Sequence, residues 1–259
     1  MEELVRETVR TAVEAAREAG RILMGGFSRP MDVAKKSPRE LVTAMDRAAE
    51  EAIVGIIRGA YPRDGVLAEE SAFLAGDSGR IWIIDPLDGT NNYAHGYPFF
   101  SVAIAIEEDG VPVAGVVHDP LRGELFVAEA GSGATLNGRP LRVSEAPRLA
   151  ESLVATGFPY DRSEGTENNL ANLSRFILAV RGIRRAGSAE LDLVYVACGR
   201  LDGYWELGLK PWDVAAGGLI VREAGGTVTN FDGSGWDHRR GDVVASNGRI
   251  HGEMLSHIR

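Results

Sequence analysis

Between Phe100 and Val143 the chain alternates apolar runs with short turn signals, and few topologies accommodate that pattern. The runs are Val102 to Ile106, Val111 to His118, Glu124 to Ala130 and Ala134 to Val143, punctuated by Asp109-Gly110, Asp119-Pro120, Gly131-Ser132-Gly133 and Asn137-Gly138. Runs of this length read as strands, and Asp-Gly and Asn-Gly pairs supply the positive φ that tight hairpins need. An antiparallel meander is expected. Just upstream, Ile81-Trp82-Ile83-Ile84 reads as another buried strand that leads straight into Asp85-Pro86-Leu87-Asp88-Gly89-Thr90. Pro86, lacking an N–H, is expected to end the ladder there.

Other segments have a helical period. Leu4, Val5, Val9, Ala12, Val13, Ala16 and Leu23 give an amphipathic helix over Glu3 to Met24, with Gly25-Gly26 as its stop. Thr43 is placed to cap a second helix whose apolar face runs through Met45, Ala49, Ala52, Ile53, Ile56 and Ile57. After Ala146 short strands (152–156, 183–184, 203–207, 227–229, 243–246) interleave with helices near 167–180, 189–198 and 211–224, the last closed by Gly225-Gly226. Two halves, residues 1–146 and 147–259, are expected to form one compact unit around a shared cleft.

Composition excludes several classes of function. A chain of 259 residues can bury a large core, and its net charge of −9 argues against nonspecific nucleic-acid binding. No apolar stretch is long enough to span a bilayer, and Glu2, Glu3 and Glu7 stand where a secretory leader would be basic, so a cytoplasmic protein is expected. Cys198 is the sole cysteine, which rules out an intrachain disulfide and reads as a small buried hydrophobe. His95, His118, His238, His251 and His257 show no metal-ligand spacing and are expected at the surface or in turns. Gly131-Ser132-Gly133 fails as a dinucleotide fingerprint in both spacing and context.

The chemistry concentrates on acids at element ends. Asp85 and Asp88 sit where a strand gives way to a Gly-Thr turn, and hard carboxylate oxygens there suit Mg²⁺ together with phosphate oxygens. Read alone, D-x-x-D-G-T is equally a capped turn held by Asx hydrogen bonds. Glu69-Glu70 end the apolar run from Val66, Asp46 lies in the first turn after Thr43, and Asp213 follows Pro211-Trp212 at another helix start. Each of these has an innocent reading as a first-turn acid meeting the helix dipole.

Taken together, Ala68-Glu69-Glu70-Ser71, Asp85 to Thr90 and Trp212 to Gly217 resemble the inositol monophosphatase family over nearly the whole chain. The resemblance implies an α+β, α/β-type fold, a layered αβαβα sandwich of the inositol monophosphatase and fructose-1,6-bisphosphatase type. It implies a Mg²⁺-dependent, lithium-sensitive, homodimeric phosphate monoester hydrolase acting on inositol 1-phosphate. One Mg²⁺ would lie between Glu69, Asp85 and the Leu87 carbonyl, a second between Asp85, Asp88 and Asp213, and a looser third near Glu69. Glu69 and Thr90 would orient the attacking water, with Asp46 accepting from the Thr90 hydroxyl and the amides of Gly89 and Thr90 holding phosphate. Gly187-Ser188-Ala189 and Glu206, with Asp88 and Asp213, would meet the substrate. Thr90 as a covalent nucleophile is disfavoured because no basic partner is visible. Two alternatives stay open. Arg162, Arg175, Arg184 and Arg185 would suit a second phosphate, as in fructose 1,6-bisphosphate, and some family members act as binding partners in gene expression.

Overall fold

The computed structural model describes residues 2–28, 33–35, 41–160 and 168–258. The chain opens with α1 (Glu2–Gly26), an antiparallel pair of β1 (Val33–Lys35) and β2 (Leu41–Thr43), α2 (Ala44–Ala60), β3 (Gly65–Ala68) and β4 (Arg80–Asp88). The one-turn α3 (Thr90–Ala94) leads into the meander β5 (Ser101–Glu108), β6 (Val111–Asp119), β7 (Glu124–Glu129), β8 (Gly133–Leu136) and β9 (Arg139–Pro140). There follow β10 (Leu153–Thr156), α4 (Leu170–Ala179), β11 (Gly182–Arg184), α5 (Ala189–Ala197) and β12 (Gly203–Leu207). A 3₁₀ turn (Pro211–Asp213), α6 (Ala215–Glu223), β13 (Thr227–Thr229), β14 (Asp242–Ser246) and α7 (His251–His257) complete the chain.

Strand alternation sorts the side chains into layers. β3 to β9 form a seven-stranded sheet in sequence order, antiparallel throughout except that β3 runs parallel to β4. On one face Trp82, Ile84, Val102, Ile104 and Ile106 pack with Ala16, Leu23, Ala49, Ile53 and Ile57 of α1 and α2. The opposite face, with Ile83, Ala103, Ala105 and Phe126, packs on Leu191, Val194, Leu219 and Ile220 of α5 and α6. Those two helices also cover Tyr204, Val243 and Ala245 of a five-stranded sheet ordered β11-β10-β12-β14-β13. Its far face carries Val154, Trp205 and Val244 against Phe176 of α4 and Met254 of α7. Each large apolar side chain buried in this way contributes about 1.5–3 kcal/mol. The architecture is a five-layer α, β, α, β, α sandwich.

Several local expectations change. Pro86 does not end β4, because pairing passes from Asp85 with Ala103 to Asp88 with Ser101 through a bulge. The bulge absorbs one extra residue, so the missing N–H of Pro86 breaks no ladder bond. Gly25-Gly26 do not stop α1, which runs through both and continues its bonding from Phe27 N to Leu23 O at 2.9 Å. The modest helix cost of glycine is offset by the buried turn around Leu23. The helix expected over 211–224 is broken at Val214 into the 3₁₀ turn and α6. Its end is as expected, since the N–H groups of Gly225 and Gly226 donate to Arg222 O and Val221 O. The final helix α7 had no counterpart in the sequence reading.

The histidines also divide. His95 is exposed, but His238 and His251 are buried and His118 is half-buried. Burial is tolerated because the ring nitrogens are satisfied: His238 Nε2 lies 2.9 Å from Glu107 Oε2, and His251 lies between Thr229 Oγ1 (3.0 Å) and Ser246 Oγ (2.9 Å). Cys198 is half-buried, and burial pushes its thiol up, away from thiolate chemistry. Among the described residues no helix is long and apolar enough to cross a membrane.

Candidate active site

The bulge at the end of β4 organises the centre. Asp85 Oδ1 accepts from Leu87 N at 3.0 Å, closing an Asx turn that directs the Leu87 carbonyl toward Thr90. Gly89 then takes φ +96°, and a Cβ there would stand 3.0 Å from Phe99 O and 3.3 Å from Gly187 O. Only glycine fits both the left-handed backbone and that close approach. Asn92 fixes the same junction, its Nδ2 donating to Phe99 O at 2.7 Å and Ala186 O at 2.9 Å.

Thr90 and Asp46 meet across elements far apart in sequence. The Thr90 hydroxyl lies 2.9 Å from Asp46 Oδ1 and 3.1 Å from Leu87 O, so its single proton has two acceptors. The other Asp46 oxygen accepts from Thr43 N (2.7 Å) and Thr43 Oγ1 (2.6 Å), a reciprocal capping box at the start of α2. The first-turn acid is thus both a cap residue and the partner of Thr90. One turn on, Glu50 Oε2 accepts from Glu70 N at 2.8 Å, which fixes the chain beside Glu69.

Asp88 is a hub. Its Oδ2 accepts from Glu190 N (2.9 Å), Ser101 Oγ (3.3 Å) and the Ser188 hydroxyl, and its Oδ1 accepts from Ala189 N (3.1 Å). Ser188, the N-cap of α5, therefore donates with Ala189 to Asp88, and Gly187, Ser188 and Ala189 all border the cleft. Asp213, in the 3₁₀ turn, accepts from Lys210 N at 2.6 Å.

These acids act on one another. Burial pushes Asp85 well above the usual carboxylate range, and the charges of Glu69, Asp88 and Asp213 push it further. Asp213 is raised well above by burial and by Glu69, Asp88 and Glu206, and Asp88 is raised chiefly by burial. The opposing influences on these three are hydrogen bonds from backbone amides and serine hydroxyls. A buried set of mutually repelling carboxylates, with no lysine or arginine among those influences, suits a hard cation. Among the described residues no group of three or more acidic, histidine or cysteine side chains is placed to hold a metal ion, so what links these acids is their effect on one another's charge.

The cleft beside this cluster is bordered by Asp88, Tyr160, Arg185, Gly187, Asp192 and Glu206. Glu206, next to last in β12, accepts from the Tyr204 hydroxyl at 2.5 Å. Burial lifts its carboxyl to about 7, against the lowering influence of Tyr204 and Arg185. Of the four arginines singled out in the sequence, Arg185 alone among the described residues borders the cleft. Arg175 reaches Asn172 and the His257 carbonyl, and Arg184 turns to the Ile183 carbonyl. Arg162 lies outside the described residues.

Two acids of α5 were not anticipated. Glu190 is fully buried and accepts from Ala216 N (3.3 Å) and Gly217 N (2.6 Å), so it caps α6, the helix that follows Asp213. Asp192 faces the cleft one turn beyond Ser188. The only sequence signal was the i, i+4 spacing of Ser188 and Asp192 on one helical face.

The sequence matches the profile described as the inositol monophosphatase family over residues 4–259. It is 46% identical over 250 residues to a protein of Pasteurella multocida named Nus factor SuhB, covering 95% of this chain and 94% of that one. It is also 46% identical over 245 residues to a Synechocystis protein named inositol-1-monophosphatase, covering 94% of this chain and 85% of the other. The structure of an inositol monophosphatase from Anabaena superposes with a TM-score of 0.90 at 45% identity, over 98% of this chain and 95% of that chain.

Proposed function

The chain belongs to the inositol monophosphatase family and is a metal-dependent phosphoric monoester hydrolase, and from that premise we propose that it hydrolyses inositol 1-phosphate with Mg²⁺. The observation that carries the reading is the buried carboxylate cluster at the end of β4, beside the bond between Thr90 and Asp46. Glu69, Asp85 and the Leu87 carbonyl would hold one ion, and Asp85, Asp88 and Asp213 a second. Bound there, Mg²⁺ supplies charge neutralisation for phosphoryl oxygens and lowers the pKa of water.

The protein's own residues account for the rest. The Thr90 proton is directed to Asp46 or Leu87 O, which leaves the hydroxyl oxygen as an acceptor for the attacking water. The Asp46 charge strengthens that acceptor, and Glu69 would be the second group that orients the water. Backbone N–H groups of Gly89 and Thr90 meet the phosphate. On the far side, Glu206 and Gly187 meet hydroxyls, while the Ser188 hydroxyl and Ala189 N–H serve Asp88. A bisphosphate is disfavoured because Glu206 and Asp192 outnumber Arg185 in the cleft. Phosphate release from inositol 1-phosphate, fructose 1,6-bisphosphate and 3′-phosphoadenosine 5′-phosphate tests the ranking. Faster release from either bisphosphate reverses it.

The same reading carries three further proposals. A homodimer is supported by the apolar side chains that α4 exposes beside edge strand β11, Leu170, Ile177 and Leu178, the last 89% exposed. Lithium inhibition and a cytoplasmic location rest on the family alone. A second role, as a binding partner in gene expression, is favoured by the relative named Nus factor. It predicts that Asp85→Asn loses phosphate release yet keeps any such partner.

A further inference from the structure

Asp192 is the most conspicuous acid that this chemistry does not use. It lies on α5, 2% exposed, among the residues that border the cleft. Every neighbouring buried acid has hydrogen-bond donors: Asp46 from Thr43 and Thr90, Asp88 from Ser101, Ser188 and the start of α5, Glu190 from the start of α6. Among the described residues the Asp192 carboxylate has no such donor, and its only favourable partner is the more distant charge of Arg185. Among the described residues the one side-chain polar atom that is both sealed from solvent and unpartnered is Trp236 Nε1. The Asp192 oxygens are therefore open to the cleft. Burial, with the charges of Glu206 and Asp88, pushes the Asp192 carboxyl well above the usual range, and a ligand that brings donors relieves a carboxylate buried without them.

The surroundings define that ligand. Glu206 and Asp88 border the same cleft, so a second phosphate there would meet three acidic side chains against Arg185 alone among the described residues. Neutral hydroxyls meet no such opposition and each brings an O–H donor. We propose that Asp192 is a specificity-determining residue which accepts a hydrogen bond from a hydroxyl of the substrate's polyol ring. The proposal rests on the reading of the site as a polyol monophosphatase. Together the two acids read hydroxyls on different carbons, and the ester oxygen stays at the carboxylate cluster.

The test compares two substrates on the intact protein with Mg²⁺: inositol 1-phosphate, and 4-nitrophenyl phosphate, whose leaving group carries no aliphatic hydroxyl. Asp192→Asn keeps the side-chain shape and removes the charge. Losing one charged hydrogen bond is expected to lower kcat/KM for inositol 1-phosphate by about 10-fold to 100-fold, mostly through KM. The loss is expected to be at least about tenfold smaller for 4-nitrophenyl phosphate, which lacks the contact. Asp192→Glu, which keeps the charge but crowds the site, is expected to show the same selective loss, and it serves if the Asn variant folds poorly. Equal losses on both substrates would show that Asp192 acts through the shared machinery and overturn the proposal, as would no loss on inositol 1-phosphate. If the unmodified protein cleaves 4-nitrophenyl phosphate but not inositol 1-phosphate, the polyol reading falls first and the proposal with it.

Discussion

Replacing Asp88 with Asn separates the structural work of this carboxylate from its chemistry. Asp88 accepts four hydrogen bonds, two of them from Ala189 N and Glu190 N at the start of α5. An Asn can keep its carbonyl where Glu190 N and the serines converge, but its NH₂ then faces Ala189 N–H. One buried backbone donor is orphaned, at about 1–3 kcal/mol. Loss of the negative charge at the α5 N-terminus adds about 0.3–1 kcal/mol. Without Mg²⁺ an opposing effect enters, because a neutral residue no longer repels Asp85. The expected destabilisation is therefore about 1–4 kcal/mol with Mg²⁺ and smaller in EDTA. For a chain of this size that lowers Tm by about 2–4 °C per kcal/mol. Circular dichroism melts in both conditions measure the difference, and amide exchange at Ala189 and Glu190 localises it. A variant that melts like the unmodified protein with Mg²⁺, its α5 amides still protected, would refute the hub role. Turnover is lost in either case.

Three further outcomes follow from the same geometry. With Mg²⁺ at 100 times its Kd, stability rises by about 2.7 kcal/mol, whereas in EDTA it falls as pH rises from the ordinary glutamate range through about 7, because the folded state holds the Glu206 proton more tightly than the unfolded chain. Urea titrations between pH 5 and 8 check both, and a flat profile in EDTA contradicts the second. Glu190→Ala orphans the N–H groups of Ala216 and Gly217, costing about 2–6 kcal/mol in urea unfolding and weakening Mg²⁺ affinity through Asp213; Glu190→Gln costs less. Thr90→Val is close to isosteric and removes only the hydroxyl, so kcat falls by about 10²–10⁴ while stabilisation by Mg²⁺ persists. Retained turnover would remove Thr90 from the chemistry.

What was legible in the sequence was what local chemistry decides. Asn137-Gly138 has positive φ at both residues and splits the last run of the meander into β8 and β9, and Thr43 with Asp46 closes its capping box within four residues. The five layers followed from the resemblance, and the alternation along β4 and β5 explains them. What escaped depends on distant partners. The bulge at Pro86 is set by pairing with β5, and the burial of His238 by Glu107, 131 residues away. Glu190 and Asp192 both look like first-turn acids placed for the α5 dipole, a role that needs no third element. Only the packing of α6 and the cleft wall gives one a capping task and leaves the other open. The Ser188 and Ala189 donors, expected to face substrate, are directed at Asp88 for the same reason.

The central claim is that the acids at the end of β4 do their work by holding Mg²⁺ against a phosphate ester. Its most direct test is the initial rate of phosphate release from inositol 1-phosphate as free Mg²⁺ is raised from an EDTA baseline, with Asp85→Asn measured in parallel. Asp85 is the residue on which the charges of Glu69, Asp88 and Asp213 converge. The account predicts no release in EDTA, saturable recovery with Mg²⁺, and a flat line for Asp85→Asn at every concentration. Release that persists in EDTA, or an Asp85→Asn variant that follows the unmodified curve, would contradict it.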